Sequence, residues 1–124
     1  MVLIIGGAYQ GKLDFAKSAF GLSESDVFTC TGGEIDFSRR CIDRIEEFTL
    51  WCVQSGVDAV AFFQSRREQW RDSTLICEDI SAGVVPMGAE MRAWRQMNGL
   101  LCRYLSGEAA RVSRLFCGLE ERLK

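Results

Sequence analysis

The chain has 124 residues, 48% of them hydrophobic and 26% charged, with a formal net charge of −2. That length suits one domain, residues 1–124, around a single core. The balanced charge gives no footprint for nucleic acid, and no apolar run approaches the roughly 20 residues that cross a bilayer.

Val2–Ile5 runs straight into glycine, without the basic start and long apolar segment of a secretory leader, so a cytoplasmic protein is expected. Cys30, Cys41, Cys52, Cys77, Cys102 and Cys117 include no C-x-x-C pair, and the chain has no histidine. Zinc-site spacing is therefore missing. Any mechanism that needs an imidazole base, ligand or covalent carrier is excluded within this chain. Cysteines inside apolar patterns, as in Leu75-Ile76-Cys77 and Leu115-Phe116-Cys117, read as reduced, buried small hydrophobes.

In chain order, Val2–Ile5 reads as a strand, and Gly6-Gly7-Ala8-Tyr9-Gln10-Gly11-Lys12 as a glycine-rich turn into a helix over 11–20. The spacing is G-x-x-x-x-G-K, the phosphate-binding loop, with Leu13 where the full pattern has Ser or Thr. Glycines let successive N–H groups face one anion-sized hollow. The helix start adds positive potential, and Lys12 adds a point charge for the outer phosphates. The same glycines also serve a plain tight strand-to-helix connection. The loop hydroxyl that normally helps hold Mg²⁺ is missing at Leu13.

Gly21 stops the helix, Ser23–Asp26 is a polar turn, and 27–30 is a second strand. After the turn at 31–34, a helix capped by Asp36 or Ser38 is expected to run to Ser55. Cys41, Ile42, Ile45, Phe48, Cys52 and Val53 form its apolar stripe, and Arg39, Arg40, Asp43, Arg44, Glu46 and Glu47 its solvated face. Gly56 breaks it, and Asp58 caps a helix over 59–70. Thr74–Cys77 reads as a buried strand, 78–86 as an irregular loop with the one proline, and 89–105 as a long helix in which Gly99 marks close packing or a bend. Val112–Cys117 is the last expected strand, and 119–124 a short charged tail.

Helices alternating with short strands predict a three-layer α/β domain, P-loop NTPase-like, with a mainly parallel sheet between helices. Ligands of such sheets bind at the carboxyl ends of the strands, which brings the loop after Ile5 and the acids Glu78 and Asp79 to one edge. A carboxylate there can hold Mg²⁺ or take the proton of a substrate hydroxyl, or simply cap a turn. Neighbouring side chains on an extended backbone point opposite ways, so one of the two acids is expected to face the loop.

Glu78-Asp79-Ile80-Ser81-Ala82-Gly83-Val84-Val85-Pro86 resembles the E-V-G-x-G-I-V-P stretch of the adenosylcobinamide kinase/adenosylcobinamide-phosphate guanylyltransferase family, with Asp79 at the family's Glu. Gly6–Lys12 resembles its G-G-A-R-S-G-K loop, 92–99 its R-x-F-R-x-x-x-G, and Ala109-Ala110-Arg111-Val112 its A-D-x-V. The likeness covers the first twenty or so residues and about the last fifty. It implies a P-loop enzyme of cobalamin biosynthesis that binds GTP or ATP with Mg²⁺ and phosphorylates adenosylcobinamide, a corrinoid. The nucleotide would lie on Gly6, Gly7, Ala8, Tyr9, Gln10, Gly11, Lys12 and Leu13. Lys12, Asp79 and Glu78 would be catalytic, with the two acids on the metal. The resemblance also implies a homo-oligomer and a second reaction, guanylyl transfer through a histidine. This chain offers Phe48 at that position and Glu120 for the proline of the family's G-I-P. A noncatalytic member that binds nucleotide or corrinoid, or supports a partner enzyme, is the alternative.

Overall fold

The computed structural model describes residues 1–80 and 88–124. Among them lie β1 (Val2–Gly6), α1 (Lys12–Phe20), β2 (Val27–Thr29), β3 (Cys41–Asp43), α2 (Ile45–Ser55), α3 (Ala59–Gln64), α4 (Arg67–Trp70), β4 (Thr74–Glu78), α5 (Ala89–Glu108), β5 (Arg111–Phe116) and β6 (Leu119–Arg122). The strands form one sheet in the order β2-β3-β4-β1-β5-β6. Every pairing is parallel except β5 with β6. The fold is α/β, a mostly parallel sheet between helices.

The two faces are covered unequally. Leu3, Ile42, Leu75, Cys77 and Val112 point to one side and pack with Phe48 and Cys52 of α2, Phe63 of α3, Trp70 of α4, and Leu101 and Leu105 of α5. Ile4, Cys41, Ile76 and Leu115 point to the other, where Leu13, Phe15, Ala16 and Phe20 of α1 cover them with Leu22 and Val27. The central strands are therefore apolar on both faces, which is why they read as continuous hydrophobic runs.

The helix expected from 36 or 38 to Ser55 is two elements. Cys41–Asp43 is a buried strand between β2 and β4, and the helix begins only at Ile45. Arg44, with φ 58°, turns the chain between them. Cys41, Ile42, Ile45, Phe48 and Cys52 do recur at helical spacing, and three residues are too few to display alternation. The turning residue is an arginine, so no glycine marks the break. The solvated face assigned there is also corrected: Asp43 and Glu46 are buried.

The helix expected over 59–70 divides at Ser65–Arg66, and the Trp70 indole N–H closes the bend by donating to the Phe63 carbonyl at 2.9 Å. The charged tail is an exposed edge strand, β6, returned by a tight turn at Cys117 and Gly118. Gly99 is exposed with no described atom within 4 Å of an added Cβ, so close packing is not its role. All six cysteines are free thiols. Cys30, Cys41, Cys52 and Cys77 are buried, Cys102 is partly covered and Cys117 is exposed. Burial pushes the Cys30, Cys41 and Cys52 thiols up to about 12, which keeps them inert. No helix among the described residues is long and apolar enough to cross a membrane.

Candidate functional site at the carboxyl edge of the sheet

Gly6 ends β1 beneath the β5 backbone. A Cβ there would meet the Leu115 carbonyl oxygen at 2.6 Å, so only glycine lets the chain leave the sheet at this point. The loop then passes through Tyr9, at φ 60° and fully exposed, to Gly11, at φ 85°, which caps α1 without any side-chain hydrogen bond. The N–H groups of Gly7, Ala8, Tyr9 and Gly11 have no backbone acceptor among the described residues. Free donors and an uncapped helix start make an anion-favouring concavity. The Lys12 ammonium donates to the Gly7 carbonyl at 2.6 Å, which folds the side chain back over the loop.

A cavity of about 490 Å³ lies against this loop, lined by Ala8, Tyr9, Gln10, Gly11, Lys12, Leu13 and Asp14 on one side and by Asp43, Arg44, Glu46 and Glu78 on the other. Its walls follow from strand order. β1 and β4 are parallel neighbours with Gly6 opposite Glu78, so the Glu78 side chain leaves on the α1 face beside the loop. β3 lies beyond β4 and delivers Asp43 to the same edge.

Glu78 and Asp79 part company at the strand end. Asp79 donates its backbone N–H to the Gly6 carbonyl at 2.8 Å. It lines a separate cavity of about 180 Å³ with Ile5, Ile80, Arg95, Asn98, Gly99 and Cys102. The structure thus brings Gly11, Lys12, Leu13 and Glu78 together, with Asp79 across the strand. Ser81, Gly83, Val85 and Pro86 lie outside the described residues.

Three acids at the cavity, Asp14, Asp43 and Glu46, escaped the sequence reading, and two of them are buried. Asp43 is buried, and its carboxylate accepts the Arg44 backbone N–H at 2.9 Å. Loss of hydration raises its pKa from the ordinary value, with that backbone hydrogen bond acting against the shift, and the Glu46 charge adds to it. Glu46 is buried as well and accepts the Glu78 backbone N–H at 3.0 Å. Glu78 is raised by burial first and by the Glu46 charge second, while Lys12 and Arg44 oppose the shift. The signal for Asp43 was an acid after two apolar residues at Cys41-Ile42-Asp43, hidden by the helical spacing around it.

A buried polar chain braces the acid wall from behind. Thr49 donates to the Asn98 side-chain oxygen at 2.9 Å, and the Asn98 amide donates to the Glu78 carbonyl at 3.1 Å. The Trp94 indole N–H donates to the Glu46 carbonyl at 2.8 Å. Strand end and helix start are thereby fixed to α5.

The cavity carries four carboxylates, from Asp14, Asp43, Glu46 and Glu78, against the cations of Lys12 and Arg44. A bare polyphosphate would be repelled by the acid wall; one accompanied by a divalent cation would be matched on both sides. Among the described residues no three acidic or thiol side chains converge on one metal position. Mg²⁺ needs no such cage, since one or two carboxylates with phosphate oxygens and water complete its shell. Asp43 and Glu78 are hard oxygen donors of the right kind. No protein-family model matches the chain, and no curated protein matches it.

Proposed function

We propose that this chain is a P-loop phosphotransferase that binds GTP or ATP with Mg²⁺, resembling the adenosylcobinamide kinase family, and that it transfers the γ-phosphoryl group to the hydroxyl of adenosylcobinamide. One observation carries the reading: the G-x-x-x-x-G-K loop and two buried or half-buried acids, Asp43 and Glu78, from neighbouring strands line a single cavity. Its volume is within the range of small-molecule sites, so a nucleotide can occupy it while the corrin ring stays outside.

The residues divide the work by charge. The loop N–H groups and Lys12 hold the phosphates and offset charge on the transferring group. Asp43 and Glu78 would hold Mg²⁺, which would supply further charge neutralisation for phosphoryl transfer. Glu78, whose side chain leaves the strand on the loop side, would accept the proton as the substrate oxygen bonds to phosphorus and the nucleoside diphosphate leaves. Asp79 and Arg95, in the cavity across the strand end, are assigned to the acceptor side. A homo-oligomer in the cytoplasm, without nucleic-acid partners, belongs to the same reading.

Leu13 on the cavity wall favours a second reading, a member that binds nucleotide without transferring phosphate, because no loop hydroxyl reaches the metal. γ-Labelled GTP or ATP incubated with adenosylcobinamide and Mg²⁺ separates the two. Label on the corrinoid, lost in Lys12→Ala, supports the kinase. Nucleotide binding without any transfer supports the second reading.

A further inference from the structure

The glycine-rich loop is fastened to the far end of the chain through one residue, Gln10, by its side chain and its backbone carbonyl. Gln10 Oε1 accepts the Cys117 backbone N–H at 2.5 Å, and the Gln10 carbonyl accepts the Gly118 N–H at 3.1 Å. The Gln10 amide also donates to the Ala8 carbonyl at 3.3 Å, so the same side chain braces the loop from within. Loop and turn lie close together: a Cβ added to Gly11 would come within 3.7 Å of the Gly118 Cα.

Cys117 and Gly118 are the two central residues of the β5–β6 turn, with φ 51° and 75°. Two consecutive left-handed residues are the signature of the tight hairpin turn that matches strand twist. What holds this hairpin is polar, because β6 is exposed throughout. The Glu120 carboxylate accepts from Ser113 at 2.6 Å and from Arg111 at 2.5 Å, both on β5. The Leu123 N–H donates to the Val112 carbonyl at 2.8 Å.

The loop needs an anchor. Tyr9 has a left-handed backbone, four N–H groups have no backbone acceptor among the described residues, and α1 begins without a side-chain cap. A loop with so few bonds of its own takes its shape from whatever it rests on.

We propose that Gln10 is a positioning residue for nucleotide binding and that the β5–β6 hairpin, pinned by Glu120, is the scaffold that holds the loop open. The proposal rests on the nucleotide reading above. Coupling between loop and hairpin is reciprocal, so a ligand that stabilises the formed loop also tightens the hairpin turn.

The test uses the full chain with GTP and with ATP, each with Mg²⁺. Gln10→Ala weakens nucleotide binding about three- to tenfold, the size expected for one or two neutral hydrogen bonds. Glu120→Ala, which touches nothing in the cavity, weakens it in the same direction by less. Amide hydrogen exchange gives a readout that a general loss of stability would not mimic. In the native protein the Cys117 and Gly118 N–H groups slow when nucleotide is added. In Gln10→Ala the Cys117 N–H exchanges quickly and ignores nucleotide, while the Leu75 and Ile76 amides of β4 keep their protection. Native affinity in both variants, or Cys117 and Gly118 exchange indifferent to nucleotide in the native protein, overturns the proposal. A native protein that binds neither nucleotide overturns the underlying reading as well, and is told apart because the native titration itself is then flat.

Discussion

The Glu46 carboxylate accepts the backbone N–H of Glu78 at 3.0 Å, so an acid from the first turn of α2 fixes the end of the strand that carries an acid into the cavity. The contact makes one carboxylate structural and raises the proton affinity of the other. Glu46→Gln keeps an acceptor of the same size and removes the like charge. It should leave stability within about 1 kcal/mol of native and lower the Glu78 pKa. Glu46→Ala leaves the Glu78 N–H without its acceptor and should cost about 1–3 kcal/mol. Denaturant unfolding gives the first quantity and NMR titration of the Glu78 carboxyl the second.

Asp43 sets a pH dependence of definite sign. Its folded pKa lies above the unfolded value of 3.8 because burial disfavours the charge. Between those two values the native state holds a proton that the unfolded state has lost, so stability falls as pH rises through that window. Asp43→Asn should remove this fall and make the protein more stable at neutral pH, while weakening Mg²⁺-dependent nucleotide binding. Asp26, Asp36 and Glu120 have lowered values and act in the opposite sense, losing stability as pH falls. Asp26 and Asp36 are half-buried and Glu120 is exposed, so solvent reaches and screens all three. Unfolding midpoints of native and Asp43→Asn protein across the acidic range check the sign.

Gly6→Ala tests the exit from β1. The added methyl would stand 2.6 Å from the Leu115 carbonyl oxygen, a backbone atom that cannot rotate away. A loss of about 2 kcal/mol or more is expected from overpacking, with the loop displaced and nucleotide binding reduced. A thermal melt unchanged from native would contradict the geometry.

Much of this arrangement is visible in the residues, and the exceptions have physical causes. β1 and β4 are legible because central strands buried on both faces are apolar nearly throughout, β5 through its apolar Val112, Leu115 and Phe116, and the loop because its glycines follow directly on an apolar strand and lead into a helix. β3 was hidden because three residues cannot establish a period of two beside a strong period of 3.6. β6 was hidden because an exposed edge strand of Leu119, Glu120, Glu121 and Arg122 has no buried face to pattern it. The site inherits these gaps. Motif and strand end point to Lys12, Glu78 and Asp79, of which Lys12 and Glu78 line the loop cavity and Asp79 a separate one, whereas nothing points to Asp43 because its strand is hidden. The Gln10 tether joins residues 107 positions apart, a separation local pattern cannot express.

No covalent guanylylated intermediate should form on this chain. It contains no histidine, and its lysines are engaged elsewhere. Lys12 donates to Gly7, Lys17 is paired with Glu24, which raises its pKa, and Lys124 donates to the Ser106 and Gly107 carbonyls. A protonated amine is no nucleophile. Incubation with α-labelled GTP followed by denaturation should leave the protein unlabelled; retained label would refute the expectation.

Calorimetric titration of the native chain with GTP and ATP, with and without Mg²⁺, beside the Lys12→Ala variant, tests the nucleotide site itself. The account predicts binding that strengthens with Mg²⁺, because the metal offsets the Asp43 and Glu78 charges. It also predicts a loss of about 10- to 100-fold in Lys12→Ala, the weight of one charge-assisted phosphate contact. Equal affinity in native and Lys12→Ala protein, or no heat from either nucleotide with Mg²⁺ present, would contradict it.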